Sequence, residues 1–209
     1  HWSRDSGEPL AAARRRRSID CAILKKDTLM TVLQMDPAKF SPVARALYDE
    51  IAARRKAHGE GFGGPYLALL NHPELAKRVE QLGFFLKFEG VLPRTAYQFV
   101  VLSVARATGA DFEWQDHIEH ALAAGLPREV IDAIGSGKTG ALPQPYALLQ
   151  EVLAKTMAWQ EIPDELQARV VAEWGTEGLV EIVVVSGFYQ MFAAINQGFA
   201  IGVPPASGQ

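Results

Sequence analysis

The residues best suited to chemistry lie in "FEWQDHIEHALAAGL", residues 112–126, where Glu113, His117 and His120 follow one another at spacings of four and three. At about 100° per residue, these side chains fall within roughly 60° of one another on a helix surface. Trp114, Ile118, Ala121 and Leu122 form the neighbouring apolar stripe, so the polar trio is expected at the border of a buried face. A carboxylate beside an imidazole is a usable acid/base pair, because imidazole titrates near neutral pH and the carboxylate fixes its tautomer. Glu113 is placed to hold His117, and Asp116 to pair with His120. The same residue types are metal ligands, but the pattern is not HExxH and needs further ligands from elsewhere. The third reading is a partly exposed helix whose histidines are satisfied by its own carboxylates. Spacing alone leaves all three open.

The elements that must position this helix are themselves helical. "SPVARALYDEIAARRKAH" opens with Ser41 as N-cap and Pro42 in the first turn, and Val43, Ala44, Leu47, Ile51 and Ala52 mark one buried face. The glycine-rich "GEGFGGPY" (59–66) breaks that helix; with no preceding strand and no GxxxxGK[ST] pattern, it reads as a structural turn. "NHPELAKRVEQLGFFLKFEG" gives a helix entered at His72-Pro73 and closed by Gly90. "LPRTAYQFVVLSVARATG" is apolar nearly all round from Phe99 to Ala105 and is expected at the centre. "LPREVIDAIGSG", "GALPQPYALLQEVLAKTMAW" and "IPDELQARVVAEWG" add three amphipathic helices, before a long apolar helix from about Thr176 to Phe199. Tyr189 and Asn196 interrupt that last helix, and each needs a polar partner in a pocket or a subunit contact.

The chain has 209 residues, 48% of them apolar, and a net charge of −3, which suits a globular domain and gives no electrostatic case for nucleic acid. The one cysteine, Cys21, excludes an internal disulfide and fits a reducing cytoplasm. Polar residues interrupt the apolar run after Gly178, which therefore reads as a buried helix rather than a membrane span. Residues 1–35, with their "RRRR" run, are expected to form a poorly structured or appended start, and residues 36–205 one all-α domain.

The order of three stretches resembles the carboxymuconolactone decarboxylase and alkylhydroperoxidase-D superfamily. They are "GGPYLALLNHPELAKRVEQLG", "LPRTAYQFVVLSVARATGADFEWQDHIEHALAAGLPREVIDAI" and "GLVEIVVVSGFYQMFAAINQGF". The resemblance implies a multi-helical bundle that assembles as a homotrimer or homohexamer and needs no cofactor. The peroxidase branch carries a CxxC pair and a following histidine, where this chain has Trp114, His117 and Ala121, so thiol peroxidase chemistry has neither its nucleophile nor its resolving partner. The decarboxylase branch resembles the chain better, with Glu and His at the positions of Glu113 and His117. It implies a carbon–carbon lyase of aromatic-compound catabolism acting on a small carboxylated or lactone-like substrate. His117 would donate the proton, Glu113 would hold it, and His120 would help bind a carboxylate. Trp114, Gln98, Tyr189 and Asn196 are the expected substrate contacts. Many relatives carry Arg-Glu where this chain reads Tyr97-Gln98, and an amide cannot relay a proton. The alternatives are a non-enzymatic oligomeric helical binder of small molecules and a metal-dependent hydrolase.

Overall fold

The structure is a computed structural model that describes residues 32–202, and among these it contains eight α-helices and no strand. They are α1 (Pro42–Lys56), α2 (Pro65–Leu69), α3 (Pro73–Phe84), α4 (Arg94–Thr108), α5 (Asp111–Ala123), α6 (Arg128–Ser136), α7 (Tyr146–Met157) and α8 (Asp164–Gly198). The expectations for the basic start and for Cys21 lie outside the described residues.

Local chemistry sets the helix entries. Ser41 Oγ accepts from the Ala44 amide, with Pro42 in the first turn. His72 Nδ1 accepts from the Leu75 amide at 3.3 Å, so this histidine is a cap for α3. Val43, expected on the buried face of α1, is 68% exposed; the inward face is carried by Ala44, Ile51 and Arg55 instead. Directly after α3, residues Phe85–Glu89 form one π-helical turn, whose wider spacing breaks the 3.6-residue register of the preceding helix.

The centre is α4, whose Phe99, Val100, Val101, Leu102 and Val104 have no solvent exposure. It packs against α5, α6, α7 and α8, so side chains on its faces reach the interior from several directions. Helix α8 is interrupted at Gly175 (φ 74°, ψ 174°), which splits it into the two helices expected from the sequence. By length and composition α8 is long and apolar enough to cross a membrane, which the polar interruptions had argued against. Half of its most apolar window is buried inside the domain.

One of those interruptions fastens α8 to the entry of α4. The Glu181 carboxylate accepts from the Val91 amide (2.9 and 3.0 Å) and the Leu92 amide (3.1 Å), two donors that precede the first turn of α4. Gly90 makes room for it, since a Cβ there would lie 2.7 Å from Glu181 Oε2. Glu181→Ala removes these charge-assisted bonds and orphans the amides, so urea unfolding should report a loss of about 2–3 kcal/mol. A loss within about 0.5 kcal/mol would contradict this role.

Candidate active site

The buried seam of α5 runs through Glu113, His117 and Ala121, at i, i+4 and i+8. Glu113 and His117 are each 3% exposed, so they lie inside the domain rather than at its border, with Trp114, Ile118 and Leu122 flanking them. Burying an imidazole and a carboxyl together requires each to find partners. His117 Nδ1 lies 2.8 Å from Gln98 Oε1, an atom that can only accept. With that oxygen facing the ring, an orientation that leaves Gln98 Nε2 buried without a partner, the hydrogen sits on Nδ1 and Nε2 carries a lone pair. Tyr189 OH lies 3.2 Å from Nε2 and 2.6 Å from Tyr97 OH. Tyr97 thus donates to Tyr189, Tyr189 to His117 and His117 to Gln98, all in one direction.

Glu113 faces the same imidazole. Its Oε1 accepts from Asn196 Nδ2 at 3.0 Å, leaving Oε2 3.8 Å from His117 Nε2. That separation is too long for a direct hydrogen bond. Burial pushes the Glu113 carboxyl up to about 7; the neighbouring Asp116 adds to the rise, while the Asn196 hydrogen bond opposes it. Burial, with the positive charges of Lys87, His120, Arg94 and Arg55 around it, holds His117 well below the usual histidine value. Near neutral pH the imidazole is neutral, while the carboxyl still holds about half of its proton population. His117, expected as the proton donor, is the neutral partner at that pH, and Glu113 is the partner whose proton affinity is raised.

The other expected residues divide. His120 lines the same small cavity, and its carboxylate neighbour is Glu60 (3.5 Å) rather than Asp116, which lies 3.9 Å from His117. Tyr189 lines the cavity as expected. Gln98 and Asn196 do not; they stand behind His117 and Glu113 and position them. Trp114 is corrected outright: it packs against the core and faces Gly135, away from the cavity. Among the described residues, no group of three histidine, cysteine, aspartate or glutamate side chains is placed to hold a metal ion, so Glu113, His117 and His120 do not form a ligand set.

Several wall residues carried no functional signal in the sequence. Lys87 sits on the π-turn, is 6% exposed and forms an ion pair with Glu60. Arg55 donates to Tyr66 OH (3.0 Å) and Glu80 (3.2 Å) at the other end of the cavity. The segment read as a structural turn supplies Glu60, Gly61, Gly63 and Tyr66 to the wall. Gly64 (φ 57°) lies so close to the Phe112 ring that a Cβ would be 2.3 Å from it, which draws the loop over α5. The enclosed space is about 70 Å³.

Two titrations follow. In a histidine-selective NMR titration, His117 should stay neutral as pH falls through 6.5, and Gln98→Glu, which puts an anion on Nδ1, should raise its midpoint. A wild-type His117 protonated at or above pH 6.5 would contradict the assignment. The linkage has opposite signs for the two groups. Glu113, raised from 4.5, contributes stability below pH 4.5 that is lost as pH rises through about 7. His117, lowered from 6.5, contributes stability above pH 6.5 that is lost as pH falls below it.

Residues 73–137 match the model of the carboxymuconolactone decarboxylase family, a span that includes α4, α5 and α6. No curated protein sequence matches the chain. Two crystal structures share its fold. One is an Agrobacterium tumefaciens protein of unknown function, named for the antioxidant-defence protein AhpD (TM-score 0.57, 20% identity, covering 66% of this chain and 95% of that one). The other is a debrominase, a cysteine-to-alanine variant in complex with 2,3,4-tribromopyrrole (TM-score 0.63, 15% identity, covering 86% and 94%). The chain thus carries a segment that matches the carboxymuconolactone decarboxylase family, set in the helical fold shared with these two structures.

Proposed function

We propose that this protein is an acid/base enzyme acting, without a cofactor, on a small carboxylated or lactone-like metabolite, with carbon–carbon lyase chemistry as its reaction. The observation that carries this reading is the buried Glu113–His117 pair. Two titratable groups 3.8 Å apart in one cavity have their proton affinities driven in opposite directions, which is how an acid and a base are assigned side by side. In the proposed step the bond from the substrate carbon to its carboxylate breaks, CO₂ leaves, and the electron pair spreads into a dienolate. Glu113 Oε2 delivers a proton to carbon, and the resulting carboxylate takes one back from solvent. Tyr189, hydrogen-bonded to neutral His117, lines the cavity beside the reacting face, and no step needs a thiol. The small cyclic ligand of the debrominase complex supports the size class of the substrate.

A second reading is a non-enzymatic binder with structural histidines. The small closed cavity favours it, since ligand pockets begin at roughly 300 Å³. Turnover decides between the two. A panel of carboxylated lactones and keto acids, followed by CO₂ release and NMR of the product, should identify a substrate. Its kcat should fall above about pH 7 as Glu113 loses its proton. Glu113→Gln should lower kcat about 10²–10⁴-fold with an unchanged circular dichroism spectrum. Full activity in that variant would remove Glu113 from the mechanism.

We propose in addition that the domain works as a homo-oligomer, a trimer or hexamer. Val180, Val183 and Val184 on α8 are 56%, 39% and 37% exposed, and Trp159 beside them is 87% exposed, around an apolar groove of about 610 Å³. Contiguous apolar surface of this kind marks association. Val183→Glu with Val184→Glu should shift the sedimentation mass to the monomer. An unchanged mass would place the interface elsewhere.

A further inference from the structure

Lys87 is the least expected side chain in the cavity. An ammonium 6% exposed needs an anion, because its own burial opposes its charge. The anion present is the chain's own Glu60, whose side chain is 7% exposed. Glu60 Oε2 contacts Lys87 Nζ and also lies 3.5 Å from His120 Nε2, so one carboxylate oxygen is held between an ammonium and an imidazole. Both cationic-type partners come from regular elements, the π-turn and α5, whereas Glu60 comes from a loop in which residues 59, 61, 63 and 64 are glycine. Gly59 (φ 72°) and Gly64 (φ 57°) flank it in left-handed conformations, the geometry of a segment that can pivot as a unit. Two backbone hydrogen bonds, from the Gly59 amide to the Lys56 carbonyl and from the Glu60 amide to the Arg55 carbonyl, both 3.0 Å, tie its start to α1. The cavity that this loop closes is about 70 Å³, room for a few waters and too little for a ring-sized metabolite.

We infer that Lys87 and His120 form a carboxylate subsite, that Glu60 is its resident stand-in, and that the carboxylate of an incoming ligand displaces Glu60 and opens the glycine-rich loop. The inference rests on the proposed small carboxylated substrate and adds where its carboxylate binds and how the cavity admits it. Entry of the new anion and departure of the old one are coupled, because Lys87 stripped of both would be a buried, unpaired charge. Glu60 therefore competes with the ligand, and the measured affinity is the intrinsic one reduced by the fraction of time the subsite is free. The exchange also discriminates: a neutral ring of the same size cannot satisfy Lys87 and does not release the loop.

The test is binding without turnover, so it stands or falls separately from the lyase reading. Furan-2-carboxylate, with furan-2-methanol as its neutral counterpart, is titrated into the full chain by isothermal calorimetry. Glu60→Gln removes the competing charge and should tighten furan-2-carboxylate binding about tenfold, with no gain for the alcohol. Adding Lys87→Gln to that variant, which leaves no unpaired charge, should abolish the gain. In the unsubstituted protein, saturating furan-2-carboxylate should speed amide hydrogen exchange across residues 58–64 as the Glu60 amide leaves Arg55, and this readout decides the matter if the variants do not fold. Binding that is unchanged or weaker in Glu60→Gln would overturn the inference. So would binding that survives the added Lys87→Gln, no binding in either protein, or loop exchange that slows or stays constant.

Discussion

Gln98 Oε1 accepts from His117 Nδ1 at a position without solvent exposure, and the proton arrangement of the site follows from that one bond. An amide oxygen offers no negative charge, so nothing at Nδ1 offsets the cost of a buried imidazolium, and the ring stays neutral. A neutral ring with its hydrogen on Nδ1 presents a lone pair at Nε2, which orients Tyr189 and, through it, Tyr97. The same desolvation raises the proton affinity of Glu113. A carboxylate in place of Gln98 would turn the imidazole into the charged member and change which group gives up a proton. Gln98, an amide and not a carboxylate, thus sets the protonation of the site.

The scaffold behind this bond puts each polar residue of α8 to a separate use. Glu181 fixes the entry of α4, Tyr189 reaches His117 and Asn196 holds Glu113. The groups that contact the Glu113–His117 pair therefore come from α4, α5 and α8. The glycine-rich segment is tied by Glu60 to Lys87 and drawn over α5 at Gly64.

Much of the fold was legible because it is local. Caps at Ser41 and His72, the apolar run Phe99–Ala105 and the break before Thr176 each leave a short-range signature. The site was legible only in part, because its hydrogen bonds join residues far apart in sequence. His117 to Gln98 spans 19 positions, His117 to Tyr189 72, and Glu113 to Asn196 83. The helix surface angle grouped Glu113, His117 and His120 correctly but could not say that the first two face inward, since polar side chains normally mark the border of a buried face. Trp114 packs where the apolar stripe put it, against the core, and not where the resemblance made it a substrate contact. Lys87 was invisible because the π-turn shifts its register away from any 3.6-residue count. Glu60 was hidden among glycines that read as a turn and nothing more.

Everything proposed for the site requires Glu113 to titrate well above the ordinary carboxylate range. The direct test is a ¹³C NMR titration of the Glu113 side-chain carboxyl in the folded protein, assigned by loss of the signal in Glu113→Gln. The account predicts a midpoint of about 7. A midpoint near the ordinary 4.5 would leave Glu113 an ionised carboxylate beside His117, and the assignment of acid and acceptor would be contradicted.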